Sequence, residues 1–347
     1  MNSHQDKQPS GEAGYSMIEL VISSVLLAGM IYVVTSLSLS GGQAQEYSRR
    51  LNRVTQITQQ LIDDMRLELV SSVRVFGNDA EGNANLATLN LDGAPAPLAG
   101  MLLPTVSANE TVRTDTTGNE ITGNSMFFAK LAWSDRYICT SSEEYLVDVY
   151  RWVYYYLTPE GGGPDPSHSI GLNLVRIVSE PLVDAASIDR ITDPIDQAEV
   201  LLHMLNATAD ADGVVHDPCE MVWVRGDMPA VSGTFRQIDS SDGSLSLTAM
   251  SPRDDPFEVL RSDSDVSGLL SYRHHSVASI YSIPTFGVGR YGIVTQAGVG
   301  FPHGLEVQVV GPSSARQVLI HMVNLSTQRS GRHAWCDMQV SVDARDL

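Results

Sequence analysis

Lysine is almost missing from this chain. It occurs only at Lys7 and Lys130, so nearly every base is an arginine. The 22 bases face 41 acids, for a formal net charge of −19. A surface of that sign repels phosphate backbones, and the bulk of the protein is not expected to bind nucleic acid. Cysteine is scarce too: Cys139, Cys219 and Cys336 lie far apart and lack C-x-x-C spacing. That spacing argues against a metal cluster built from the three thiols. An extracytoplasmic head would permit one disulfide with one thiol left over. All three pairings stay open, as do three buried free thiols. Neither G-x-S-x-G nor H-E-x-x-H occurs, and nothing orders the Ser, His and Asp residues into a triad. No internal repeat is evident. The expectation is therefore a chain that is not an enzyme and carries no cofactor.

What the sequence does hold is concentrated near its start. Gly14-Tyr-Ser-Met-Ile-Glu19-Leu opens an apolar run that continues to Leu37. At helical rise, Tyr15–Leu37 is long enough to cross a bilayer. Glu19 is the only acid or base in that run. A lone acid inside hydrocarbon costs roughly 2.5–3.5 kcal/mol. Its partner must come from another chain or from a backbone terminus.

At these residues the chain resembles the class III signal of type IV prepilins and type II secretion pseudopilins. Gly14 matches the residue before the cleavage point, Tyr15 the new N-terminus, and Ser16 to Leu20 the signal that follows, with Glu19 as its acid. The resemblance implies that a prepilin peptidase cuts between Gly14 and Tyr15 and methylates the new amine. It implies that the apolar segment stays as a single-pass inner-membrane anchor and then packs with other pilin or pseudopilin subunits through Glu19. The head would lie outside the cytoplasm, in the periplasm or at the cell surface. The leader departs from the family pattern, since its only base, Lys7, stands against Asp6 and Glu12, so the positive-inside signal is weak. A Sec signal peptide is the alternative, with a membrane-anchored extracytoplasmic enzyme or binding module behind an ordinary anchor. Its apolar region would run about 7–15 residues and be free of charge, whereas this run is longer and holds Glu19 near its front.

Beyond Ser38-Leu-Ser-Gly-Gly, a helix-weakening stretch, Leu51, Val54, Ile57, Leu61, Met65 and Leu69 recur at spacings of three and four. This predicts an amphipathic helix to about Val75, ended by Gly77-Asn78. Residues 77–124 read as an extended surface excursion. Strands are expected at 126–133, 145–157, 172–178, 220–225, 244–250, 304–310, 316–324 and 335–343, with a short helix over 194–206. The turn-forming Pro159–Pro166 cluster makes 145–157 and 172–178 an antiparallel hairpin. The acidic, Ser-rich segment 251–270 reads as loop with a short helix. The fold class is thus α+β, a long N-terminal helix packed on a mainly antiparallel head. Its parts are a leader over 1–14, a membrane segment over 15–40, an amphipathic continuation over 41–76 and a head over 77–347. The tyrosine-rich strand 149–157, paired with a strand carrying Leu-Val-Arg at 174–176, resembles the J-type minor pseudopilin and the W-type minor pilin.

Several motifs invite chemistry. Gly287-Val-Gly-Arg-Tyr-Gly292 fits G-x-G-x-x-G, but no helical pattern follows it. Asp210 and Asp212 sit on a short acidic loop and are the weak cation candidates, although EF-hand spacing is absent. His274 and His275 are adjacent and would point to opposite faces of a strand. On 147–157, Val147, Val149, Val153 and Leu157 face one way, while Tyr150, Trp152, Tyr154 and Tyr156 face the other.

Overall fold

The computed structural model describes residues 16–89, 91, 94, 96–112, 121–159, 171–206, 208–219, 221–223, 235–238, 245–246, 257–260, 275–278, 304–326 and 334–346. The chain divides into two compact units, Met1–Arg50 and Leu51–Leu347. A single helix, α1 (Met17–Val70), begins in the first and ends in the second. In the first unit every residue from Ser16 to Gln45 is exposed, apolar ones included. Ser38–Gly42 stays helical despite its low propensity. Arg50 pairs with Glu46 one turn earlier.

From Leu51 onward α1 turns amphipathic. Val54, Ile57, Thr58, Leu61, Ile62, Met65 and Leu69 are buried, at the three-and-four spacing of one helix face. The helix stops at Val70 rather than near Val75. The amide and hydroxyl of Ser71 both donate to the Glu68 carbonyl, which closes the last turn. Ser72-Val-Arg-Val-Phe, with alternating β-branched residues, then forms a strand, β1 (Ser72–Phe76).

The remaining strands are β2 (Val106–Ser107), β3 (Met126–Ile138), β4 (Glu144–Pro159), β5 (Gly171–Val178), β6 (Leu182–Asp184), β7 (Met221–Trp223), β8 (Phe235–Ile238), β9 (Leu245–Ser246), β10 (Phe257–Leu260), β11 (His275–Ala278), β12 (Leu305–Val310), β13 (Arg316–Ser326) and β14 (Ala334–Ala344). Helices α2 (Ala80–Thr88), α3 (Ala185–Asp189) and α4 (Pro194–Asn206) lie between them. Pairing is antiparallel throughout the described strands except for β2 with β12 and β6 with β7. β4 sits centrally, bonded to β3 along one edge and to β5 and β6 along the other. β13 carries β12 and β14, and β11 joins it to β5. The head is therefore α+β and mainly antiparallel.

Within 77–124 the described residues hold a helix and a short strand, α2 and β2, where composition suggests an extended surface excursion. Asp79 caps α2 by accepting the Gly82 amide at 2.7 Å. Gly123 bridges to Val307, with N–O distances of 2.8 and 2.9 Å. A Cβ at Gly123 would stand 2.3 Å from the Pro104 nitrogen, so that close approach requires glycine. In the 251–270 segment, Phe257–Leu260 pairs with β5 as a strand where the sequence suggests loop and short helix.

Alternation along β4 separates two cores. Val153, Tyr155 and Leu157 join Ile57, Leu61, Ile62, Met65 and Leu69 of α1, together with Val307 and Val309 of β12 and Val318 and Ile320 of β13. Tyr150, Trp152, Tyr154 and Tyr156 face the other way and pack with Phe76, Phe127 and Trp223. Phe76 stacks on Phe127 at 4.6 Å, and Trp152 meets Phe127 edge-on at 5.5 Å. The aromatic face is thus covered within its own unit. A third core gathers Tyr137, Val147, Val149, Ile188, Val200 and Met204 around α3 and α4.

Candidate functional site

The first candidate is the exposed half of α1. Gly14 and Tyr15 lie outside the described residues. Glu19 stands in the first turn and accepts the Ser16 amide at 3.0 Å. That satisfies one of the helix's orphan donors and puts negative charge at the positive end of the macrodipole. Among the described residues Glu19 has no basic partner. From Met17 to Leu39 the large apolar side chains are all more than half exposed. Among the described helices α1 is the one long and apolar enough to cross a membrane.

The buried half of α1 is tied to the sheet by polar groups as well as by its apolar stripe. Glu68 accepts from Arg176 of β5 at 2.7 and 3.0 Å, and from Lys130 of β3 and Tyr155 of β4. Burial alone would raise its pKa. The hydrogen bonds from Arg176, Lys130 and Tyr155 outweigh burial and lower the carboxyl from 4.5 to about 2. Ten residues earlier on α1, Thr58 accepts from Asn324 of β13 at 2.9 Å, both fully buried. The Leu-Val-Arg motif of β5 therefore supplies an anchor for α1. Glu68 itself carries no sequence signal beyond its place off the apolar stripe.

On β13, His321 bridges two carboxylates. Its Nδ1 is 2.8 Å from Glu306 of β12 and its Nε2 2.5 Å from Asp337 of β14. Burial opposes the imidazolium, but Asp337 and Glu306 overcome it and raise the pKa from 6.5 to about 9. At neutral pH this is a buried cation clamping three strands. No sequence pattern marks it, because the three residues converge only through strand register.

The acidic loop behaves as a turn. Asp210 is buried and accepts from the amides of Ile138, Asp212 and Val214 at 3.3, 3.1 and 2.9 Å. His216 adds a contact at 3.4 Å. Burial pushes its pKa up, but these donors reverse that and lower it. Its oxygens are occupied in shaping the loop, while Asp212 is exposed. The two aspartates thus do not converge as a cation site.

Cys139, Cys219 and Cys336 are all free and buried. Cys139 and Cys219 share the third core, and Cys336 lies on β14. At the end of β3, Cys139 comes close to Asp196 and Glu199 of α4. Burial, then these two carboxylates, push its thiol up to about 11. The glycine motif at 287–292 and His274 lie outside the described residues, and His275 begins β11.

Comparison with models of known protein families, with curated proteins and with solved structures finds no match to this chain.

Proposed function

We propose that this chain is a non-enzymatic structural subunit, a minor pilin or minor pseudopilin of a type IV filament or type II secretion machine. The observation that carries the reading is a single acid, Glu19, at the head of an exposed apolar helix. That same helix becomes the packed stripe of a β-rich head.

The physical sequence of events follows from that arrangement. The apolar half of α1 partitions into the inner membrane, where each large side chain contributes about 1.5–3 kcal/mol on leaving water. A prepilin peptidase removes residues 1–14 and methylates the Tyr15 amine. In the packed helical bundle Glu19 pairs with a Tyr15 amine of its own or a neighbouring subunit, which offsets the roughly 2.5–3.5 kcal/mol that a lone acid costs in hydrocarbon. The head lies outside the cytoplasm, at the filament tip, and meets other minor subunits.

The first test is the intact mass of membrane-extracted protein. The proposal expects a chain beginning at a methylated Tyr15, and Gly14→Val should leave the leader uncut. A mass that retains residues 1–14 in the wild type sinks the proposal and favours an ordinary anchor. Glu19→Ala should leave insertion and cleavage intact and exclude the subunit from sheared filaments or the tip complex. Incorporation at the wild-type level would refute the ion-pair mechanism.

A further inference from the structure

The tip of the β3–β4 hairpin holds chemistry that an assembly role does not use. The chain turns tightly there: the Cys139 amide donates to the Glu143 carbonyl at 3.0 Å, and Ser142 takes a left-handed φ of 69°. Helix α4 presents Asp196, Glu199 and His203 at i, i+3 and i+7, one face of the helix. Cys139 Sγ and one oxygen each of Asp196 and Glu199 lie within 4.8 Å of one another. His203 Nε2 is 3.7 Å from Glu199 Oε1. That is too long for a hydrogen bond. Two donors on one tetrahedral zinc ion, each at 2.0–2.1 Å, stand about 3.3 Å apart. Cys139, Asp196 and Glu199 therefore need only a contraction to share an ion, while His203 approaches the group at Glu199 alone and has to turn inward to join it.

Three further observations favour a cation. Cys139 is 1% exposed and Asp196 3%, yet among the described residues no arginine or lysine pairs with Asp196 or Glu199. Asp196 receives both of its hydrogen bonds at Oδ2, from Ser141 and Tyr145 at 2.9 and 2.8 Å, which leaves Oδ1 without a partner among the described residues. Three of the four side chains, Asp196, Glu199 and His203, are also held in place by hydrogen bonds. Thr140 gives its amide and hydroxyl to Glu199, both at 2.8 Å, and Thr208 Oγ1 bonds His203 Nδ1 at 2.8 Å, so Nε2 is the nitrogen left toward Glu199. Such outer hydrogen bonds fix ligand tautomer and direction in metal sites. One thiolate and one imidazole beside two carboxylates disfavour calcium and suit zinc.

We propose that Cys139, Asp196 and Glu199, with His203 turning in from beside Glu199 as the fourth donor, form a site for a tetrahedral divalent transition metal of the zinc class, joining the hairpin tip to α4. On binding, the Cys139 S–H bond is replaced by a sulfur–metal bond and the proton leaves to solvent, so affinity rises with pH.

The test uses the full chain in detergent, stripped with a chelator and titrated with Co²⁺, then Zn²⁺. The proposal expects one ion per chain, a thiolate-to-cobalt charge-transfer absorption, and displacement of cobalt by zinc. Cys139→Ser should abolish that absorption. His203→Ala, at a half-buried position on the helix, should leave the fold intact and weaken cobalt binding at least roughly 10–100-fold. No absorption in the wild type, an absorption that survives Cys139→Ser, or unchanged affinity in His203→Ala would overturn the site.

Discussion

Glu68→Gln removes one charge from the tie between α1 and the sheet while keeping the side chain's shape. In the wild type the carboxylate faces Arg176 and Lys130 and accepts from Tyr155. The fall of its pKa from 4.5 to about 2 corresponds to roughly 3 kcal/mol of stabilisation of the charged form in the fold. The group is 15% exposed, so solvent screening discounts that figure little. In the variant, two cations face each other without a counter-charge, which adds to the loss. Glu68→Gln should therefore lower stability at neutral pH by about 3 kcal/mol, a fall of roughly 5 °C or more in Tm. The pH dependence carries the sign. A depressed carboxyl pKa gives stability that is fully present above about 4.5 and lost as pH falls toward about 2. Thermal melts of wild type and variant should differ most above pH 5, and the gap should close in acid. Lys130→Met combined with Glu68→Gln should cost less than the sum of the two single changes, since the second change removes a charge already stranded. A variant within about 0.5 kcal/mol of wild type at neutral pH, or a gap that persists at pH 2, would refute the tie.

Three other outcomes follow from the packing. His321 contributes stability in the opposite pH direction: with its pKa raised from 6.5 to about 9, its gain is full below 6.5 and disappears as pH rises through about 9. Wild-type melts should thus decline between pH 7 and 10, and His321→Gln should flatten that decline; equal slopes would remove His321 from the account. A chain beginning at Tyr47 should be folded and β-rich, whereas one beginning at Gly77 exposes the sheet face that Ile57, Leu61, Met65 and Leu69 cover, each worth about 1.5–3 kcal/mol. Gel filtration and melting of the two compare them, and equal stability would mean that α1 does not hold the head together. Asn324→Ala should cost about 0.5–1.5 kcal/mol by removing the amide that donates to the buried Thr58 hydroxyl, which keeps its own bond to the Val54 carbonyl; denaturant melting measures it, and an unchanged midpoint would remove this bond from the account.

Much of the architecture is local and therefore legible in the residues. The helix over 194–206 and the strands over 305–310 and 334–344 follow from periodicity, because each buries one face against a common core. The alternation of tyrosine and valine along β4 sorts the two cores as period-two geometry requires. The helix stripe from Val54 to Leu69 is equally plain, but its end is not. Residues 72–76 continue an apolar pattern, and the switch to strand at Ser72 comes from pairing with β3, a partner more than fifty residues away.

The apolar N-terminal helix with its one acid, the α+β class and the excess of acids are all readable in the residues alone. These depend on composition and on spacings of two, three and four residues, which act within a single element. Which charges meet is set by the packing of distant elements. Glu68 finds Lys130, Tyr155 and Arg176, and His321 finds Glu306 and Asp337, across strands whose register no local rule sets. Asp210, in sequence only a weak cation candidate on an acidic turn, spends its oxygens on backbone amides of that turn and on Ile138. Cys139, which in sequence is either a disulfide partner or a buried free thiol, is free and is brought beside Asp196 and Glu199 by the packing of α4 at the hairpin tip. Burial and register assign partners to polar side chains, and partners, more than residue type, set what those side chains can do.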